Sequence, residues 1–179
     1  MARGLLIVDI QLDYFPGGAY PLVGPEEAAG AAGRVLERFR ADGRPVLHLR
    51  HLWDAPEATF MRPGTPGIEI HPLVAPSGNE PVIEKAYPNG FRETGLGERL
   101  RADGVDELVV AGMMTSMCVD ATVRAAVDLG LGVTVVHDGC AAPDLRFADR
   151  DVPGAAVHAA FMAALADGYA DVAGADELA

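Results

Sequence analysis

The sequence predicts an α/β fold of three layers, in which a mostly parallel sheet of five or six strands carries helices on both faces. Two observations carry that expectation. Four short runs, residues 4–10 (GLLIVDI), 45–50 (PVLHLR), 107–112 (ELVVAG) and 132–138 (GVTVVHD), are apolar almost throughout, as strands buried on both faces are. Segments with helical spacing of apolar residues fall between them, and such alternation builds a parallel sheet through right-handed crossovers.

The elements follow in order. The strand at 4–10 carries the carboxylate of Asp9 near its end. A helix is expected over 25–42, with Ala28, Ala32, Val35, Leu36 and Phe39 on one face. After the strand at 45–50 come a weaker strand at 81–84 and a helix at 96–102. The strand at 107–112 leads to a helix at 118–129, the strand at 132–138 to a helix at 153–166, and a last strand is expected at 170–172. Two stretches rich in Pro, Gly and aromatics, 11–24 and 51–79, interrupt this order. Loops longer than about 12–15 residues in a compact domain usually serve function, so these are the expected walls of a pocket at the carboxyl ends of the strands.

The 179 residues read as one domain, 1–179, large enough for a core without staples. The two cysteines, Cys118 and Cys140, make neither a disulfide framework nor a zinc spacing, and they fit a reducing, cytoplasmic setting. No apolar run approaches the roughly 20 residues of a membrane span, so no membrane partner is expected. With 14 Lys+Arg against 26 Asp+Glu the net charge is -12, which repels phosphate backbones and argues against nucleic acid as a partner.

Chemistry concentrates in AGMMTSMCVDATVRAA, residues 111–126, where a strand ends at Gly112 and Cys118 falls near the start of a helix. Unpaired N–H groups and the positive end of the helix dipole favour a thiolate there, which makes Cys118 a candidate nucleophile. The competing reading is a plain buried cysteine at a strand–helix junction. Cys140, in HDGCAAPD, has no helix directly behind it and reads as structural. Asp9, in IVDIQLDYF, is a candidate base, since a solvated acid is not expected at the end of a buried strand. Lys85, in VIEKAYPNGF, could stabilise both anions by Coulomb attraction, or be one solvated charge among many.

DIQLDYF at 9–15, RPGTPGIEIHP at 62–72, EKAYPNGF at 84–91, the cysteine segment and the stretch from His137 through PGAAVHAAFMAALADGYADV occur in one order over nearly the whole chain. In this the chain resembles the isochorismatase-like cysteine hydrolases, which include nicotinamidases, N-carbamoylsarcosine amidases, streptothricin hydrolase and isochorismatase. The resemblance implies a catalytic triad of Asp9, Lys85 and Cys118: Asp9 moves protons, Lys85 steadies charge, and Cys118 attacks a carbonyl to form a thioester. It also implies a cis peptide between Met113 and Met114 and an oxyanion hole made by the amides of Met114 and Cys118.

The chain also departs from its relatives. Nicotinamidases carry a metal site with an Asp-x-His pair after the second strand, whereas this chain reads HLRHLWDAPEATF at 48–60. His48 and His51 lie on a strand and its exit, where a spacing of three sends them to opposite faces. His71, His137 and His158 form no ligand spacing, so no metal and no other cofactor is expected. Gln11, Phe15, Trp53, Tyr87 and Phe91 lie in the loops that would face the triad and are the expected substrate contacts, aromatics being able to sandwich a flat amide. Arg62 could hold a carboxylate, although pairing with an acid is the commoner role.

The leading expectation is a small-molecule amidohydrolase, acting on an amide, imide or carbamoyl compound through a Cys118 thioester. The alternative, implied by the isochorismatases that dispense with the cysteine, is vinyl ether hydrolysis by Asp9 without a covalent step. A non-catalytic binding module is a third reading, though no GxGxxG or Walker-type loop follows any strand. Selective alkylation of Cys118 over Cys140 at mildly acidic pH would argue against that third reading. Relatives and the alanine-rich helix GAAVHAAFMAALADG suggest a homodimer or homotetramer.

Overall fold

A computed structural model describes residues 2–178. Six parallel strands form its sheet: β1 (Ala2–Val8), β2 (Val46–His51), β3 (Val82–Lys85), β4 (Val105–Met113), β5 (Gly132–Ala141) and a last strand, Asp171–Ala173. That last strand is β8, because a hairpin of β6 (Leu145–Phe147) and β7 (Arg150–Val152) precedes it. The order across the sheet is β3-β2-β1-β4-β5-β8, with β1 and β4 central. Helix α1 (Pro25–Ala41) covers one face, and α2 (Leu96–Ala102), α3 (Asp120–Asp128) and α4 (Gly154–Gly168) cover the other.

The continuous apolar run of β1 exists because both of its faces are covered. Leu5 and Ile7 point toward α1, Leu6 and Val8 toward the other helices, and none is more than 1% exposed. Each such side chain stabilises the fold by about 1.5–3 kcal/mol relative to an exposed one. The α1 sequence sets its own ends. Pro25 occupies the first turn with Glu26 and Glu27, Arg38 and Arg40 face the negative end, and Gly43 leaves with φ +64.

Gly112 fixes the distance between the two central strands where the site begins. It pairs with Val8, has φ +153, and a Cβ placed on it would lie 2.1 Å from the Val8 carbonyl oxygen. Only a residue without a side chain lets β4 pass so close to the end of β1.

Two features differ from the sequence expectation. The helix expected from 118 begins at Asp120, and the preceding five residues, Thr115–Val119, form a π-type turn in which the Val119 amide donates to the Met114 carbonyl at 3.2 Å. The β6–β7 hairpin falls where no strand was expected. Its residues are mostly exposed, so the alternation that reveals a half-buried strand is missing from them. No helix among the described residues is long and apolar enough to cross a membrane.

Candidate active site

Four neighbouring strands each deliver one functional side chain to the carboxyl edge of the sheet. Asp9 is the first residue past β1, His51 and Lys85 close β2 and β3, and Cys118 lies in the π turn after β4. Parallel register levels these ends: His51 pairs with Lys85, and the Asp9 amide donates to the Leu49 carbonyl at 3.2 Å. Asp9 leaves its strand with φ +48, a left-handed backbone that aspartate tolerates better than most residues.

The Lys85 ammonium is the hub. Its Nζ donates to Cys118 Sγ at 3.2 Å, to the Tyr87 carbonyl at 3.1 Å and to His51 Nδ1 at 3.1 Å. It also lies 2.6 Å from Asp9 Oδ2. At that distance ammonium and carboxylate form a close, charge-assisted ion pair. Asp9 Oδ1, fully buried, is left without a hydrogen-bond partner of its own among the described residues. Because an ammonium can only donate, His51 Nδ1 accepts, and the neutral ring carries its proton on Nε2.

Burial pushes the Cys118 thiol well above the ordinary range, Asp9 pushes it further, and Lys85 opposes them only in part. This overturns the expectation of a thiolate favoured by the helix end. Cys118 is 3% exposed, and the water it has lost outweighs the nearby cation and dipole. Burial would lower Lys85, yet the neighbouring Asp9 carboxylate holds it above its usual value, so the ammonium persists. Burial brings His51 down to about 4, helped by Lys85 and opposed by Asp9. The resting site is therefore an ion pair beside a neutral ring and a neutral thiol.

Asp9, His51 and Cys118 are the one group of described residues with the spacing of a metal site, their ligand atoms lying within 4.8 Å of one another. The Lys85 ammonium stands where a cation would sit, within 3.2 Å of all three, and the set does not fit a metal ion while it is there.

Cys118 opens onto a cavity of about 430 Å³. Both long loops wall it, with Tyr14 and Tyr20 from the first and Trp53 and Phe60 from the second. Phe60 joins this wall, its ring centroid 4.8 Å from that of Tyr20, 5.4 Å from Trp53 and 6.1 Å from Tyr14. Met114 and Met117 from the turn that holds Cys118, Leu145 from the hairpin and Phe161 from α4 also line it. The Met113–Met114 bond is cis.

Of the five expected substrate contacts, Trp53 lines this cavity and the other four do not. Gln11 is fully buried and clamps the two loops: its Nε2 donates to the His51 and Ile68 carbonyls and its Oε1 accepts from the His51 amide at 2.7 Å. Phe15 stacks on His71 at 4.0 Å and lines a larger depression of about 780 Å³ beyond Phe60, as Arg62 does. That larger depression holds none of Asp9, Lys85 and Cys118. Tyr87 gives its carbonyl to Lys85 while its ring lies under the Arg92 guanidinium at 3.6 Å. Phe91 packs against the core on the α2–α4 side. Backbone bonds claim Gln11, stacking partners claim Phe15 and Tyr87, and core packing claims Phe91 before the cavity can.

Sequence reasoning passed over His51, Tyr14, Tyr20 and Phe60. A signal existed for His51, which closes a buried strand as Asp9 and Lys85 do. Phe60, like Trp53, is an aromatic in a polar loop. Leu145 and Phe161 left no local signal, because the hairpin and the last helix bring them in from far along the chain. Cys140, on β5 beside Gly112, is buried and pushed up to about 12 by that burial, and both cysteines are free thiols.

The profile of the isochorismatase domain family matches residues 3–177. The chain is 49% identical over 172 residues to the isochorismatase family protein YddQ of Bacillus subtilis (strain 168), covering 96% of each. The crystal structure of an isochorismatase from Pseudomonas putida KT2440 superposes with a TM-score of 0.93 at 38% identity, over 99% of this chain and 90% of that one. That of N-carbamoylsarcosine amidase from Thermoplasma acidophilum superposes with a TM-score of 0.83 at 28% identity, over 99% of both.

Proposed function

The chain belongs to the isochorismatase domain family of hydrolases, and from that premise we propose that it cleaves a carbon–nitrogen bond of a small amide, imide or carbamoyl compound through a thioester on Cys118. The names of its structural relatives divide between an isochorismatase and an amidase, so this chain's own residues must decide. The observation that carries the reading is a thiol at the floor of a cavity, bonded at 3.2 Å to an ammonium that is itself 2.6 Å from a buried carboxylate whose other oxygen is left open.

The reaction follows from this resting state. As Sγ attacks the carbonyl carbon, its proton passes to Asp9, and Lys85 stays charged beside the forming C–S bond. The amides of Met114 and Cys118 receive the oxyanion, and loss of such a donor costs about 3 kcal/mol in transition-state stabilisation. Asp9 then gives its proton to the leaving nitrogen and the C–N bond breaks. Water, losing a proton to Asp9, attacks the thioester; the C–S bond breaks, the acid departs and the sulfur regains its proton.

Replacing Cys118 with Ala tests the reading. Turnover of an amide should fall by at least about 10⁴-fold, as removal of a covalent nucleophile does, and the acyl mass gain on the intact protein should vanish. Vinyl ether hydrolysis by Asp9 alone predicts nearly unchanged turnover in that variant, and such a result would overturn the thioester.

A further inference from the structure

Charge is absent from the wall of the Cys118 cavity. None of the described residues lining it is Asp, Glu, Lys or Arg. Its titratable ring, His51, is brought down to about 4 by burial and is neutral near pH 7. The ionised pair beneath it, Asp9 with Lys85, is matched within itself at 2.6 Å. Charged groups do lie close by, but on the far side of Phe60, where Asp13, Glu26 and Arg62 line the larger depression. Of the nearby guanidiniums, Arg62 lines that depression, Arg92 stacks on Tyr87 and Arg146 pairs with Asp151, and none lines the Cys118 cavity.

We propose that this site takes an electrically neutral amide with a flat, apolar body, and that it rejects substrates bearing a carboxylate. The inference rests on the amide-hydrolase reading above and narrows it. A body entering the 430 Å³ space exchanges water for the rings of Trp53, Phe60 and Tyr20. A neutral ring or branched chain gains from that exchange, and stacking geometries suit a flat one. A carboxylate loses its hydration and finds no cation to replace it, since Lys85 has spent its three N–H bonds and its charge on other groups. The polar residues lining the wall, Tyr14, Tyr20, His51 and Ser116, are all uncharged near pH 7 and suit neutral heteroatoms.

The test is a matched pair of substrates, 4-methylbenzamide and 4-carboxybenzamide, assayed on the wild-type protein and on Leu145→Arg. Leu145 lines the cavity yet is 38% exposed on the hairpin, so the new guanidinium can reach the mouth without being buried in the core. The methyl compound should have the higher kcat/KM by about 100-fold or more, and Leu145→Arg should narrow that ratio about tenfold. Equal or faster hydrolysis of the carboxylate by the wild type would overturn the proposal while leaving the amide reading intact. Failure of both compounds to acylate Cys118, read as mass gain on the intact protein, would bring down the amide reading and this inference with it.

Discussion

His48 and His51 stand three residues apart on β2, and each is buried beside an acid and a cation, yet the two clusters are completed to opposite degrees. Glu80, the partner of His48, accepts from Arg40 through both oxygens at 2.7 and 2.8 Å, from the Ser77 amide at 3.0 Å and meets His48 Nε2 at 3.0 Å. Asp9, near His51, has a single ion contact, and its Oδ1 has no partner at all. Burial would raise the Glu80 carboxyl, but the bonds from Arg40, Ser77 and His48 hold it down to about 2. A saturated acid of this kind can only stabilise. The unsaturated one keeps room for a proton, which makes it the place to look for chemistry.

The largest test of that contrast is Asp9→Asn. If the open carboxylate is the proton carrier, turnover of a neutral amide should drop about 10²- to 10⁴-fold, the usual range for a general acid–base group. Steady-state assays that found less than a tenfold loss would erase the distinction between the two acids.

A smaller effect should appear in the pH dependence of stability through His51. The ring titrates at about 4 in the fold against an ordinary 6.5, so between those values the unfolded chain holds a proton that the folded one refuses. Stability therefore falls as pH drops from about 6.5 to about 4, by about 3 kcal/mol for this group. Denaturant titrations across that window should show a shallower slope for His51→Gln than for the wild type, and matching slopes would mean the ring is charged in the fold. Turnover should also fall as pH approaches 4, because a protonated His51 sets a second cation against Lys85.

The smallest effect is expected at the saturated cluster. Glu80→Gln should cost about 2 kcal/mol of stability, as lost charge-assisted hydrogen bonds do, and leave kcat and KM unchanged. With its carboxyl held low, the stability Glu80 contributes is complete above about 4.5 and lost as pH falls toward 2. Thermal melts compared at pH 7 and pH 3 would show the variant's deficit shrinking at the lower pH. A changed kcat would mean that the two clusters communicate along β2.

The sheet was legible because it is written in uninterrupted local signals, whereas Asp9, Lys85 and Cys118 were joined as a set only through the resemblance, Lys85 and Cys118 each having a plainer local reading. GLLIVDI can be buried on both faces only in a parallel sheet, and an acid at its end has few other uses. The cavity wall was half legible. Trp53 stood out in a polar loop, whereas Gln11 could not be recognised as a loop clamp, since its three backbone partners come from His51 and Ile68, far along the chain. The state of Cys118 was misread for a related reason. A helix start favours a thiolate in water, and nothing local in AGMMTSMCVDATVRAA reveals that the sulfur is closed off beneath two loops, a hairpin and α4.

That closure bears on how the sulfur meets small reagents. Peroxide and alkylating agents attack the sulfur anion and largely ignore its protonated form, so a buried Cys118 that keeps its proton at rest reacts slowly with both. In the absence of substrate, Cys118 should therefore react with iodoacetamide near pH 7 more slowly than a free thiol does, read as mass gain on the intact protein.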